Sequence, residues 1–189
     1  MLARTGGPAG NARLTAWLGV VLLAAFAVEG FTLLSLHSML AVHIFVGTLL
    51  VPLALAKTAT TTWRMARYYL HNRPYRLAGP PPLLLRLLGP AVVVTTLAVL
   101  GTGLALIAVG RGHQVLFLHK ATFVLWLAVM SVHVLGRTWS ALLILSERHL
   151  PKRVPGGWLR AAAMSGVAIA GVVAGLLVLP YSTQWTHRF

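Results

Sequence analysis

Five runs of mostly apolar residues divide this chain: about Leu14–Leu36, Met39–Ala56, Leu88–Val109, Val115–Val134 and Leu159–Leu179. A helix rising about 1.5 Å per residue crosses a hydrocarbon layer about 30 Å thick in roughly 20 residues, so each run is long enough to span. A spanning segment must satisfy its own backbone polar groups, which selects helices for runs of this kind. Hydrophobic residues make up 58% of the chain and charged residues 10%, against about 25% charged in a soluble domain. The sequence therefore predicts an all-α polytopic membrane protein, one domain over residues 1–189. Its five transmembrane helices are expected at about 14–36, 39–69, 88–109, 115–146 and 159–179, the second and fourth continuing as amphipathic helix past the hydrocarbon. Gly79-Pro80-Pro81-Pro82, Gly110 to Gly112 and Pro151 to Gly157 mark connections, and Pro52 inside the second run predicts a kink.

Charge placement sets an orientation. With the N-terminus in the cytoplasm, the cytoplasmic segments carry Arg4, Arg13, Lys57, Arg64, Arg67, Arg73, Arg76, Arg86, Arg137, Arg148, Lys152, Arg153 and Arg160, which is 13 of the 16 basic residues. Lys and Arg accumulate on the cytoplasmic side of membrane proteins. The expectation is a multi-pass protein of the cell's inner (plasma) membrane, its N-terminus cytoplasmic and its C-terminus outside. Ala25-Phe26-Ala27 after a basic start also fits a signal-peptide cleavage site, but the run is read as the first transmembrane helix. The formal charge of +14 suits anionic lipid headgroups. Nucleic acid is set aside because the charges sit in short segments between apolar runs. Trp63, Tyr68, Tyr69, Trp139, Tyr181 and Trp185 read as interfacial aromatics.

The chain has no Cys and only two acids, Glu29 and Glu147. Thiolate-held clusters, Cys-bound zinc, c-type haem attachment and disulfides are excluded. Two-carboxylate hydrolysis and carboxylate-bound metal chemistry lack their residues. No phosphate-binding loop, dinucleotide fingerprint, nucleophile elbow or HExxH motif is present.

An internal repeat carries the chemistry. Shifted by 76 residues, His37 falls on His113, His43 on His119, and Thr62-Trp63 on Thr138-Trp139; Lys57 falls on His133. His43 and Lys57 are 14 residues apart, as are His119 and His133. At 3.6 residues per turn each pair lies within about 40° of one face and about 21 Å apart along the axis. The second and fourth spans run in the same direction, so His43 and His119 share one depth and Lys57 and His133 another. Intramembrane histidines are costly without partners. Two imidazoles facing across a bundle core are the usual axial ligands of b-type haem, which needs no covalent tether.

In this pattern the chain resembles the membrane cytochrome b families, four-helix bundles that stack two haems between histidines about 14 residues apart on two helices. The matching positions are His43, His119 and His133; the fourth holds Lys57 instead of His. Over about 120 residues the resemblance implies one haem b between His43 and His119. It allows a second at His133, with or without Lys57. Arg111 and Lys120 are placed for propionates of the outer haem, and Arg64, Arg67 and Arg137 for those of an inner one. Gly89 and Gly103, 14 apart, would let a porphyrin approach the third span. The segments around Arg67-Tyr68-Tyr69 and Leu118-His119-Lys120 are also similar to small actinobacterial membrane proteins.

Glu29, His37 and His113 form a candidate quinol or proton site near the outer surface. The expected function is a b-type cytochrome passing electrons across the bilayer, with a quinol pool and a partner redox protein as the expected ends of the path. Two other classes stay open: a cofactor-free accessory subunit of a larger membrane complex, and a small transporter suggested by the repeat and Pro52.

Overall fold

The computed structural model describes residues 5–80, 83–110, 112–146 and 154–186. The protein is all-α: 92% helical, with no strand among the described residues. Six helices follow one another: α1 (Gly7–Thr32), α2 (Leu36–Tyr69), the short α3 (Arg73–Leu77), α4 (Leu83–Val109), α5 (His113–Leu145) and α6 (Gly157–Thr186). All but α3 are long and apolar enough to cross a membrane. They overrun the apolar runs at several ends because helix continues into the polar flanks. α6, for example, passes through Pro180 to Thr186. Pro52 stands inside α2, which continues through it as helix.

Between α1 and α2 only a single turn of 3-10 helix intervenes, Leu33–Ser35. Ser35 then leaves helical geometry, with φ −146° and ψ 58°, and the chain reverses. The 63 residues from Gly7 to Tyr69 are thus a hairpin of two spans. Its register shows in three cross-helix pairs: His43 with Glu29, Lys57 with Thr15 and Asn11 with Thr60. All close about residue 36, as two antiparallel helices joined there require. A second hairpin turns at Gly110, whose φ of 79° is the left-handed conformation that glycine adopts without penalty at a helix C-terminus. Its register is set by Thr102 with His119 and Thr96 with Trp126. The two reversals are separated by about the length of the sequence repeat.

Helix neighbours define the architecture. α1 packs on α2, α2 on α4, α4 on α5, and α5 on α1, a closed ring of four. α2 and α5, the helices that carry the repeated histidines, face each other on a diagonal. Neighbouring helix axes lie about 8–10 Å apart, so the diagonal leaves a gap that side chains from both helices must fill. α6 lies outside the ring, against α2 and α1.

The contact between α2 and α6 is close because α6 offers glycine. A Cβ at Gly171 would stand 2.9 Å from the Leu49 carbonyl oxygen, and one at Gly175 would stand 2.6 Å from the Phe45 ring. This is a small-xxx-small contact, which brings membrane helices into van der Waals range where lipid tails remove any hydrophobic drive. The buried core is Leu18, Leu22, Val46, Leu50, Leu53 and Ala54, with Leu100, Met164 and Val167 packed against it. It ties α1, α2, α4 and α6 together. Large apolar side chains elsewhere face outward, Leu34, Leu77 and Leu135 most of all, as expected of surfaces solvated by acyl chains.

The polar flanks are pinned by a few side chains. Arg160 at the start of α6 donates to the Val154 and Pro155 carbonyls, and to that of Thr5 at the start of the chain. Arg86 donates to the Tyr69 hydroxyl at 2.6 Å, and Arg67 stacks over the Trp63 ring at 5.3 Å. The side chains of Trp139 and Trp185 lie outside the described residues.

Candidate functional site: a paired imidazole in the bundle core

The diagonal brings His43 and His119 together. Their ring centroids are 6.5 Å apart and their planes are inclined at 79°. Each hairpin supplies one ring together with the groups that orient it. On the first, the Thr32 hydroxyl donates back to the Glu29 carbonyl at 2.5 Å and lies 2.9 Å from His43 Nδ1. A hydroxyl has one proton. With that proton on the carbonyl, Thr32 accepts from His43, which places the imidazole proton on Nδ1. Glu29 Oε1, 3.1 Å from the same nitrogen, is a second acceptor for it.

The second hairpin repeats the device with different residues. The Thr102 hydroxyl donates to the Ala98 carbonyl at 2.8 Å and lies 3.1 Å from His119 Nδ1. The same proton count makes His119 a donor through Nδ1. Thr122, 3.2 Å from Thr102, extends the network onto α5. Both rings are thereby held as neutral Nδ1–H tautomers, with the lone pair on Nε2. The tautomer follows here from the hydroxyls' partners. Metal-binding histidines are oriented this way, the outer nitrogen donating to a carboxylate, hydroxyl or carbonyl.

Two glycines make room for these groups. A Cβ at Gly47 would come within 3.0 Å of Glu29 Oε1, and one at Gly103 within 3.2 Å of the His119 ring. Gly103 thus seats the imidazole itself, a role the sequence pattern had assigned to porphyrin clearance. At Gly89 a Cβ would meet nothing within 4 Å.

The spacing can be compared with that of two imidazoles on one metal ion. With metal–nitrogen bonds of about 2.0 Å and a ring radius of about 1.1 Å set by C–N bonds of about 1.33 Å, the centroids would stand roughly 6.2 Å apart. The observed 6.5 Å agrees. Among the described residues no three His, Cys, Asp or Glu gather as a metal site. Two protein ligands suffice for a metal that brings its other ligands with it, as haem iron brings four ring nitrogens.

Below this pair lies an aromatic layer. Trp126 is buried, donates to the Thr96 hydroxyl at 3.1 Å, and meets Phe26 at 4.6 Å and Phe123 at 6.1 Å between centroids.

Lys57 and His133 mark the next level, in the arrangement the repeat predicts, but they do not form a second matched pair. The Lys57 ammonium donates to the Thr15 carbonyl on α1 at 2.6 Å, and stands 2.6 Å from where a Cβ of Gly19 would be. His133 Nδ1 is buried and has no hydrogen-bond partner, so nothing fixes its tautomer. Arg137 and Lys57 both bear electrostatically on His133, and Arg64 bears on Arg137. Arg67 is directed to Trp63.

The remaining candidates lie apart. His37 and His113 are exposed at the starts of α2 and α5, and Lys120 is exposed on α5. Arg111 lies outside the described residues. Of the suggested quinol or proton group, only Glu29 joins the histidine pair. Sequence reasoning missed Thr32, Thr102 and Thr122. A threonine in a membrane helix commonly bonds its own preceding turn, so its residue type alone gives no signal. Comparison of the chain with known protein families, with curated proteins and with solved structures gave no match.

Proposed function

We propose that this chain is a b-type membrane cytochrome, holding one haem between His43 and His119 and carrying electrons between a membrane quinol and a partner redox protein. One observation carries the reading. Two imidazoles from diagonal helices stand at the spacing of axial ligands, each turned by its own hairpin so that Nε2 bears the lone pair. When bound, the haem supplies a one-electron iron couple.

The chain's residues supply the rest. His43 and His119 would hold the haem through Nε2. Thr32, Glu29 and Thr102 hold the rings and raise their basicity as ligands. The apolar bundle excludes water, which disfavours added charge at the iron and tunes its potential. The buried Trp126 layer closes the core on the side facing Lys57. The positive-inside rule places the histidine pair towards the outside of the plasma membrane and the Lys57 level towards the cytoplasm.

The test is the absorption spectrum of the purified protein with haem quantified per chain as the pyridine haemochrome. The expected result is one haem per chain with a Soret band, lost in His43→Ala and in His119→Ala. A colourless protein after haem-replete expression, or full haem content in both variants, would overturn the reading.

A further inference from the structure

The end of the bundle remote from His43 gathers positive charge, with no carboxylate among the described residues to balance it. Lys57 and Arg64 lie seven residues apart on α2, and His133 and Arg137 four apart on α5, so each pair shares a helix face. They act on one another across the core: Arg137 on Lys57, Lys57 and Arg137 on His133, and Arg64 on Arg137. Lys57, Arg64, His133 and Arg137 are all partly buried. Of the two acids in the chain, Glu29 is at the opposite end with His43, and Glu147 lies outside the described residues. Among the described residues no carboxylate faces this cluster.

Unpartnered polar atoms lie at the same level. His133 Nδ1 and Thr15 Oγ1 are buried with no hydrogen-bond partner, and Thr15 is the residue whose carbonyl holds Lys57. Buried polar groups are nearly always paired; the Thr15 hydroxyl can donate, as can a His133 ring with its proton on Nδ1, and an anion held by the neighbouring cations would accept from both.

We propose that this cluster binds the phosphodiester headgroup of an anionic phospholipid between α2 and α5. Depth favours a lipid over a dissolved ion. Lys57 is 14 residues from His43, or about 21 Å along the helix, and Arg137 lies about 6 Å further on. With a hydrocarbon core about 30 Å thick, that level is the inner margin of the acyl chains and the start of the phosphates. Exposed Val132 and Leu135, on faces of α5 turned away from His133, give the attached tails an apolar surface on the outside of the same helix. Guanidinium groups suit phosphate oxygens through paired N–H bonds, and basic pockets between spanning helices on the cytoplasmic side bind acidic headgroups. The inference does not depend on the haem reading.

The experiment uses the full chain purified in detergent, delipidated, and offered phosphatidylglycerol or phosphatidylcholine. Bound lipid is counted by native mass spectrometry. One phosphatidylglycerol per chain is expected to survive washing. Its retention should fall at least tenfold in Arg137→Gln and in Arg64→Gln, and should be unchanged in Arg73→Gln, a basic position in the connection outside the cluster. Helix content and melting temperature of each variant show that a loss is not unfolding. Equal retention of phosphatidylcholine, or equal loss in Arg73→Gln, would overturn the site. So would displacement of the lipid by millimolar inorganic phosphate, which would mark a free-anion site. Loss of a second haem per chain in the Arg variants would identify the anion as a propionate and sink the lipid assignment. A chain without any Soret band would refute the cytochrome reading and leave this one standing.

Discussion

Removing the acceptor from one imidazole at a time tests whether the two hairpins really prepare ligands. Thr102→Val and Thr32→Val replace a hydroxyl by a methyl of similar volume, so packing is nearly preserved. Each ring keeps a second acceptor: His43 Nδ1 has Glu29 as well as Thr32, and His119 has the Val99 carbonyl as well as Thr102. Losing an outer-shell partner of a ligating histidine typically costs 10- to 100-fold in affinity, or about 1.4–2.7 kcal/mol. Each single variant should fall towards the lower end, because Glu29 Oε1 remains 3.1 Å from His43 and the Val99 carbonyl remains beside His119. Thr32→Val combined with Glu29→Gln disturbs both side-chain partners of His43 and should cost more than either single variant. The assay is haem transfer from the protein to excess apomyoglobin, followed in the Soret band. The reduction potential is a second reading: a ring that no longer donates to an acceptor is a poorer donor to ferric iron, so the potential should rise in each variant. If Thr102→Val and the double variant release haem as slowly as the parent, the tautomer reasoning is wrong.

Other expectations follow from the same geometry. Gly175→Leu should separate α2 from α6, since even a Cβ would meet the Phe45 ring at 2.6 Å. Overpacking of this kind costs about 1–3 kcal/mol, which a thermal melt would register, while Gly89→Ala, facing open space, should not lower the midpoint. Trp126→Phe removes the donor to Thr96 and should destabilise by about 1–3 kcal/mol, measured by detergent-resistant folding. Because the chain has no Cys, single cysteines can report orientation. A cysteine at His71 should be labelled by an impermeant maleimide only after cell lysis, and one at Gly112 in intact cells; the reverse would invert the topology.

The long apolar runs made the five spans readable, because a lipid solvent leaves the backbone one economical answer. Their ends were less so. α1 begins at Gly7, well ahead of Leu14, since Gly6 supplies a left-handed start and Pro8 stands in the first turn. The repeat placed His43 opposite His119 correctly. It also aligned Lys57 with His133, and there the side chains diverged. A lysine's reach let its ammonium find the Thr15 carbonyl on a neighbouring helix, which no spacing rule foretells. Gly171 and Gly175 were visible as residues, but which helix they would admit depends on how α6 docks. Glu29 was legible as a lone intramembrane acid; that it would sit on His43 required the hairpin's register.

That register has a consequence for how the protein is made. The first hairpin is clasped at both ends, by Glu29 and His43 near its turn and by Thr15 and Asn11 against Lys57 and Thr60 at its open end. The second carries its own links between Thr102 and His119 and between Thr96 and Trp126. Each hairpin thus carries the links that align its own imidazole, so that alignment need not wait for the other. What assembly adds is the docking of α6 on the first hairpin and the joining of the two hairpins, where a ligand gripped from both sides would act as the rivet.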